Sequence, residues 1–151
     1  MNRRGRRLGA LLPLVIALGL GVAGCGGAKT AAAPVPPAQI RPVPGTALHS
    51  VTLSPQAMAD VGVRTQAVRS VATGASRPLL AIPLGALIYD PQGRSWTYVT
   101  TAPRTFVRRA VVIERIEGDE VLLRAGPAAG SLVVTVGAPE LLGAEYGVGE
   151  E

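Results

Sequence analysis

The sequence has very few of the side chains from which most enzymatic and metal sites are built. Its 151 residues include one cysteine and one histidine, and aromatic residues make up only 3 %. A single cysteine excludes an intrachain disulfide, and a single histidine excludes a zinc site built on a histidine pair. No imidazole is set beside a cysteine nucleophile either. We therefore predict a protein that is not an enzyme and that holds no metal or cofactor apart from a covalent lipid.

Two other groups of residues resemble reactive sites, and each has a simpler interpretation. His49 and Met58 offer only two soft ligands, so we interpret His49 as a surface residue at the start of a strand. A group of acids surrounds one predicted hairpin turn. Paired carboxylates transfer protons when burial separates their pKa values, but acids flanking a Glu-Gly-Asp turn are typical of a solvated tip. These acids are Glu114, Glu117, Asp119 and Glu120.

The one cysteine ends a segment that has the organisation of an export signal. Four arginines precede an apolar run over residues 8–22, and small residues stand directly before Cys25. A basic start, a short apolar run and small residues at the cleavage point are typical of a secretory signal. A cysteine after Ala-Gly is the bacterial lipobox pattern. We predict that Cys25 carries a lipid and holds the mature chain on the extracytoplasmic side of a cell membrane. The cleavage motif is Val22, Ala23 and Gly24.

An uncleaved membrane helix is the other interpretation of this segment. Residues 8–24 number only 17 and include Pro13, whereas about 20 apolar residues are needed to span a bilayer. Removing the signal also removes four of the 15 basic residues, which leaves 11 against 10 acidic residues and a net charge of +1. The basic charge of the precursor is thus a targeting feature, and we expect no binding to nucleic acid.

The mature chain divides into a tether and one domain. Residues 1–24 are the predicted signal peptide, and residues 25–47 a lipidated linker rich in proline and alanine. Such a composition cannot bury enough apolar surface to order itself, so we predict a disordered tether that reaches at most roughly 60 Å. Residues 48–147 then form a single domain with one small core, and residues 148–151 a tail.

The periodicity within this domain is mostly that of strands. Ser54 and Pro55 predict the start of a short helix that ends near Gly62. Residues 82–89 and 95–100 read as a hairpin joined by a type I turn. Trp96 and Tyr98 share one face of its second strand, which makes that face the expected core anchor.

The second half of the domain also reads as strands. The longest run covers residues 106–116, with an irregularity near Arg108 and Arg109, and a second hairpin strand follows over residues 120–124. Residues 132–136 form another strand, and residues 138–144 a short helical turn. The predicted fold is mostly β, a small antiparallel β-barrel or rolled sheet with one short helix.

Two passages of the domain resemble a known family. The sequence Ile82-Pro83-Leu84-Gly85-Ala86-Leu87, followed by Gly93 to Val99, is similar to the "V-P-x-x-A-L … G-x-x-W/Y-V-Y/F-V" passage of the periplasmic adaptor (membrane fusion) proteins of RND-type efflux systems. Residues 51–55 together with residues 61–65 are similar to the family's N-terminal segment "V-x-L-[ST]-x-x-Q … G-[IV]-x-T", which is best known in its heavy-metal-efflux branch. The order and spacing of the matches carry the resemblance. Further matching residues are Arg109-Ala110-Val111, Val121-Leu122-Leu123, the loop 126–130, Val133-Val134, Gly137-Ala138 and Leu141-Leu142.

The departures from the family pattern define the prediction. The resemblance covers residues 51–68 and 79–146, and it implies a lipoyl-like domain, an α-helical hairpin and a β-barrel between the two blocks. Here residues 70–78 span that whole interval. In the family the membrane-proximal domain is assembled from both ends of the chain, so this sequence resembles that domain alone. A smaller departure is Ser131, where the family's loop "G-L-x-x-G-D/E" ends in an acid.

The resemblance implies docking on the external domain of an RND-type transporter. Without the family's α-helical hairpin the chain cannot reach an outer-membrane channel. We therefore predict an accessory protein that does not complete a conduit. Because a fold does not fix a function, the alternative is an envelope lipoprotein that binds cell wall or another membrane partner. The basic group of Arg104, Arg108 and Arg109 is the candidate partner contact, or else an exposed strand edge protected by charge.

Overall fold

The computed structural model describes residues 35–72, 74 and 77–148 of the chain. Within them the protein is mostly β, as the sequence predicts. Two helices are present, α1 (Pro55–Val61) and α2 (Ala138–Glu145), with a 3-10 turn at Leu84–Ala86. The strands are β1 (Ala38–Pro42), β2 (His49–Leu53), β3 (Arg64–Ala67), β4 (Arg69–Val71), β5 (Leu79–Pro83), β6 (Ile88–Tyr89), β7 (Ser95–Ala102), β8 (Thr105–Ala110), β9 (Val112–Glu117), β10 (Glu120–Ala125) and β11 (Leu132–Val136).

The strands form two antiparallel sheets, and within the described residues neither closes into a barrel. The larger sheet has seven strands in the order β1-β2-β8-β7-β11-β3, with β6 paired to β7. The smaller sheet has four strands in the order β4-β5-β10-β9. The fold is therefore a rolled pair of sheets, one of the two forms that the sequence predicts.

Two apolar clusters hold these layers together, one on each face of the larger sheet. The first joins Tyr98 and Phe106 of the sheet to Ala138 and Leu141 of α2. The second joins the larger sheet, through Val133, to strands of the smaller sheet. Both faces of the larger sheet are thus covered, and side chains that alternate along β7 and β8 enter different surroundings.

Helix α1 forms where the sequence predicts it, because its start and stop signals are local. The Ser54 hydroxyl accepts a hydrogen bond from the Ala57 N–H at 3.0 Å, and Pro55 occupies the first turn. Gly62 ends the helix in the left-handed conformation, with a φ of 65°.

No helix in the described part of the chain is long and apolar enough to cross a bilayer.

The predicted hairpin over residues 82–89 and 95–100 is shorter than expected. Its turn is present, since the Gly93 N–H donates to the Asp90 carbonyl at 2.8 Å, but only β6 pairs with β7. Residues 82 and 83 belong to β5 in the other sheet. Gly85 lies in the 3-10 turn between β5 and β6, and a Cβ added there would lie 2.7 Å from the Thr135 carbonyl oxygen. The chain passes from the smaller sheet to the larger sheet at this turn. The sequence does not indicate the passage, because an apolar run that is buried on both sides has the same pattern in either sheet.

The long strand predicted over residues 106–116 is two strands in different sheets. β8 ends at Ala110 and β9 begins at Val112. Val111 between them is buried and belongs to the cluster between the sheets. The irregularity expected at Arg108 and Arg109 thus lies further along the chain, where the backbone crosses from one layer to the other.

The predicted tether is wrong from Ala38 onward. β1 pairs along its whole length with β2, from Ala38 opposite Leu53 to Pro42 opposite His49. Ala38 and Ile40 alternate toward the first apolar cluster, and the strand lies at the edge of the sheet, where proline is tolerated. The folded part of the chain therefore begins well before residue 48. The signal peptide and Cys25 lie outside the described residues.

Candidate functional site

The three arginines predicted to contact a partner lie in three different surroundings. Arg104, in the turn between β7 and β8, has a φ of 57° and donates from Nη1 to the Leu53 carbonyl at 2.8 Å. Arg108 is buried, with 7 % of its surface exposed, and Arg109 is exposed. β8 lies between β2 and β7, so the interpretation as an exposed strand edge is wrong for residues 105–107, whereas Arg108 and Arg109 lie beyond the pairing with β2.

Arg108 lies on the face of the larger sheet that α2 covers, and its guanidinium meets the end of that helix. Its Nε is 3.1 Å from Oε1 of Glu145, whose side chain is only 2 % exposed. Its Nη1 donates to the Tyr146 hydroxyl at 2.9 Å. Tyr98, directly opposite Arg108 on β7, donates its hydroxyl to Oε2 of Glu145 at 2.5 Å. Arg108 therefore links the end of α2 to the sheet.

The contact between Arg108 and Glu145 is an ion pair rather than a hydrogen bond. Neither Nε of Arg108 nor Oε1 of Glu145 has a hydrogen-bond partner among the described residues. The same Oε1 lies 4.0 Å from Nδ1 of His49, the first residue of β2. Because the carboxylate is buried, its stability depends on the charges and on the tyrosine that surround it.

The pKa of the tyrosine in this cluster is shifted strongly. Burial, the hydrogen bond to Glu145 and the charge of Glu145 all raise the pKa of Tyr98 above its usual value of 10.0. Burial by itself would lower the pKa of Arg108, but the Tyr146 hydrogen bond and the Glu145 charge raise it. At neutral pH the phenol of Tyr98 is thus neutral and the guanidinium of Arg108 is charged.

Trp96 forms the outer wall of this cluster. Its ring is half-buried, and the Arg108 guanidinium lies 4.7 Å from the ring centroid. The indole N–H donates to Oδ2 of Asp90 at 3.0 Å. Tyr98 is completely buried, so the prediction of a core anchor on this face is confirmed for Tyr98 and holds only in part for Trp96.

Asp90 fixes the turn that carries Trp96. Burial alone would raise the pKa of Asp90, but hydrogen bonds from the Arg94 backbone, the Trp96 indole and the Arg94 guanidinium lower it to about 2. The guanidinium of Arg94 lies 2.7 Å from Oδ2 and 5.5 Å from the Trp96 ring centroid. The carboxylate thus links the hairpin turn to the aromatic wall.

Arg109 points away from this cluster and lines a cleft of about 420 Å³. Among the described residues of the lining it is the only charged one, and none of the described residues forms an ion pair with it. Of the three predicted contact residues, Arg104 and Arg109 are exposed and have no acidic partner among the described residues, and Arg109 is the one whose guanidinium makes no hydrogen bond to them either. The other lining residues are Val99, Ala110, Gly126, Pro127, Ala128 and Ser131.

Three of the four acids at the hairpin between β9 and β10 are paired with arginines, and Asp119 is not paired among the described residues. Glu114 pairs with Arg124, and this hydrogen bond lowers the pKa of Glu114 although burial opposes the shift. A general acid near neutral pH needs a raised pKa, so this shift has the wrong sign for that role. The other two pairs at this tip join Arg115 to Glu117 at 2.5 Å and Arg69 to Glu120.

The soft metal site considered from the sequence is not assembled in the described residues. His49 begins β2, whereas Met58 packs from α1 against the first apolar cluster. No group of three or more histidine, cysteine or acidic side chains in the described part of the chain is placed to hold a metal ion.

Sequence reasoning missed two features of the structure, one buried and one at the surface. Glu145 gave no local signal, since its partner Arg108 lies on a distant strand. An apolar groove of about 340 Å³ also lies between α2 and the β6–β7 turn, and its location depends on how the helix packs. Its lining includes Tyr89, Pro91, Leu142, Tyr146 and Val148.

No protein-family model matches the chain, and no curated protein is similar enough to match it. The functional proposal below therefore rests on the fold, on the site geometry and on the motif resemblance.

Proposed function

We propose that this chain is a lipid-anchored accessory protein of an RND-type efflux system, which docks on the external domain of the pump without completing a conduit. The observation that carries the proposal is the short link between β4 and β5. These strands pair as antiparallel neighbours, with Val71 opposite Leu79. The chain thus leaves and re-enters the smaller sheet at adjacent positions.

This link falls in the interval where the adaptor resemblance implies three inserted modules. Residues 72–78 connect two strands whose ends already lie side by side. A large insertion placed or removed at such a point leaves the pairing of β4 with β5 intact. The segments on either side fold into one pair of sheets, which supports a membrane-proximal domain that stands alone.

The position of β1 supports docking close to the membrane. β1 begins at Ala38, thirteen residues after Cys25. Thirteen residues span at most about 47 Å even when fully extended. A lipid on Cys25 would therefore keep the domain within that distance of the membrane surface, where the external domain of a membrane transporter begins.

The first experiment tests the anchor. Replacing Cys25 with alanine should leave the precursor uncleaved by the lipoprotein signal peptidase and should abolish incorporation of labelled palmitate, because the acceptor thiol is lost. Ser131→Asn, a change far along the chain, is the matched control and should be labelled normally. Normal labelling of the Cys25→Ala chain would overturn the lipid assignment.

The second experiment tests the partner. The full lipidated chain, carrying a photo-crosslinking residue at an exposed position such as Gln56, is irradiated in its native membranes, and the captured proteins are identified by mass spectrometry. Recovery of an RND-type pump, and its absence without irradiation, is the expected result. Reproducible capture of cell-wall material or of an unrelated transporter, with no pump at any tested position, would replace the proposal with the alternative function.

A further inference from the structure

We propose that the cleft beside Arg109 receives an acidic side chain of the partner protein, with the Arg109 guanidinium as the charge that recognises its carboxylate and Ser131 as a second polar group in the cleft. This assignment rests on the proposed function and names the contact through which docking occurs.

Arg109 has no acidic partner among the described residues, and it lines the cleft. Half of the ten described arginines have a carboxylate within ion-pair distance, and the other unpaired ones, Arg41, Arg64, Arg77 and Arg104, do not line this cleft. A guanidinium offers five donors in a planar fork that matches a carboxylate, so an unpaired one retains that capacity. The described arginines that are paired with acids are Arg69, Arg94, Arg108, Arg115 and Arg124.

The surroundings of Arg109 favour a single carboxylate. Its cleft combines polar groups with the apolar groups of Val99, Ala110 and Pro127, and the described residues of its lining include no second cation. A volume of about 420 Å³ accommodates a side chain from another protein. Polyanions are bound by several cations together, as on nucleic acid. One arginine in a partly apolar cleft instead fits one acidic residue whose aliphatic stem contacts the walls.

The neighbouring strand adds a polar group on the same face. Thr97 lies directly opposite Arg109 in the pairing of β7 with β8, and opposite residues share a face of the sheet. The Thr97 side chain is fully buried, and its Oγ1 has no hydrogen-bond partner among the described residues. The face that carries Arg109 thus has a polar atom without a hydrogen-bond partner among the described residues, as the face that carries Arg108 also does.

Ser131 decides whether the cleft is open to an external acid. It ends the loop over residues 126–130 and lines the same cleft as Arg109. Its backbone is fixed, because the Ser131 N–H donates to the Ala128 carbonyl and its own carbonyl accepts from the Val68 N–H at 2.8 Å. An aspartate at this position would place a carboxylate inside the cleft and pair with Arg109 within the molecule. Serine leaves the guanidinium to a partner.

The experiment uses the full lipidated chain in its native membranes, with a photo-crosslinking residue at Ala128 on the rim of the cleft. Three variants are compared with the parent: Ser131→Asp, Ser131→Asn and Arg109→Ala. We expect Ser131→Asp and Arg109→Ala to lower the yield of the crosslink to the pump at least about tenfold, because each removes the free charge. Ser131→Asn, similar in size but neutral, should stay within about twofold of the parent.

The outcomes separate this inference from the proposed function. Equal crosslinking by the parent, Ser131→Asp and Arg109→Ala would overturn the role of the cleft while pump docking stands. Crosslinking of the pump from Gln56 but never from Ala128 would do the same. Failure to capture a pump from either position would contradict the proposed function itself. Where a crosslinked acid is identified, its replacement by arginine should restore binding to Arg109→Glu.

Discussion

Arg108 and Arg109 are neighbours in the chain and opposites in the structure. The first is buried beneath α2 and paired with Glu145, and the second is exposed beside a cleft that holds no acid. Successive side chains of a strand point to opposite faces, so adjacent arginines enter different layers. The charge of Arg108 is therefore neutralised within the fold, and the charge of Arg109 stays exposed at the surface.

This difference changes how a basic group should be read. A cluster of arginines along a strand indicates a charged surface only when the strand has one solvated face. Here a helix covers one face, and its last residue supplies the carboxylate that neutralises Arg108. The comparison therefore makes opposite predictions for stability and binding at two adjacent positions.

The largest effect on stability is expected at Arg108. Arg108→Ala leaves the Glu145 carboxylate buried without its cation and should lower the free energy of unfolding by about 3–5 kcal/mol. Arg109→Ala, at an exposed position, should change it by no more than about 0.5 kcal/mol. Chemical denaturation of the two variants side by side measures both values.

A paired variant shows whether the charge causes the Arg108 effect. Arg108→Met combined with Glu145→Gln removes both charges and keeps most of the side-chain volume, so it should recover much of the lost stability. If Arg108→Ala and Arg109→Ala unfold at the same denaturant concentration, the buried ion pair does not hold α2 on the sheet.

A smaller loss is expected for Tyr98→Phe, which removes one hydrogen bond to the buried carboxylate. The expected cost is about 1.5–3 kcal/mol at neutral pH. Because the pKa of Tyr98 is raised in the folded state, its contribution is complete below the unfolded value of 10.0 and declines as the pH rises above it. Unfolding curves from pH 8 to 11 should show a shallower alkaline decline for the variant. An unchanged slope would contradict the raised pKa.

The acid side of the stability profile depends on Asp90. Its folded pKa of about 2 lies below the ordinary value of 3.8, so its contribution is present above about pH 4 and is lost as the pH falls toward 2. Asp90→Asn should flatten this decline, while the part that belongs to Glu114 remains. The melting temperature at neutral pH should fall less than in Tyr98→Phe, because the amide oxygen still accepts from Trp96. Thermal unfolding from pH 2 to 7 measures both effects, and a profile identical to the parent's would refute this role of Asp90.

The sequence predicted the elements whose signals are local and missed those set by the packing of layers. Ser54, Pro55 and Gly62 identify α1 without any tertiary information. The passage from β5 to β6 and the break at Val111 were missed because residues buried between layers look alike whichever sheet they join. β1 was missed because its flanking prolines are typical of a linker, yet an edge strand tolerates them.

The candidate site was predicted only as a group of residue types. Arginines near Phe106 are visible in the sequence, but the partner of Arg108 lies 37 residues further on, at the end of another element. The elements that pack on each face of the sheet determine which arginine forms an ion pair within the fold and which stays exposed. Periodicity along β8 indicates that Arg108 and Arg109 face opposite sides, and it does not indicate what lies there.

The smallest predicted effect tests the free arginine in the isolated chain, with no partner present. Ser131→Asp should form a partly exposed ion pair with Arg109, and such pairs contribute about 0.2–1 kcal/mol. A double-mutant cycle with Arg109→Ala isolates this coupling from other effects of either substitution. The coupling should weaken as the salt concentration rises, because ions screen exposed charges. A coupling energy of zero at low salt would mean that a carboxylate at position 131 does not contact Arg109, so that no ion pair within the molecule forms in the cleft. A favourable coupling would show that position 131 accepts an acid beside Arg109, and the serine found there then leaves Arg109 to an acid from another molecule.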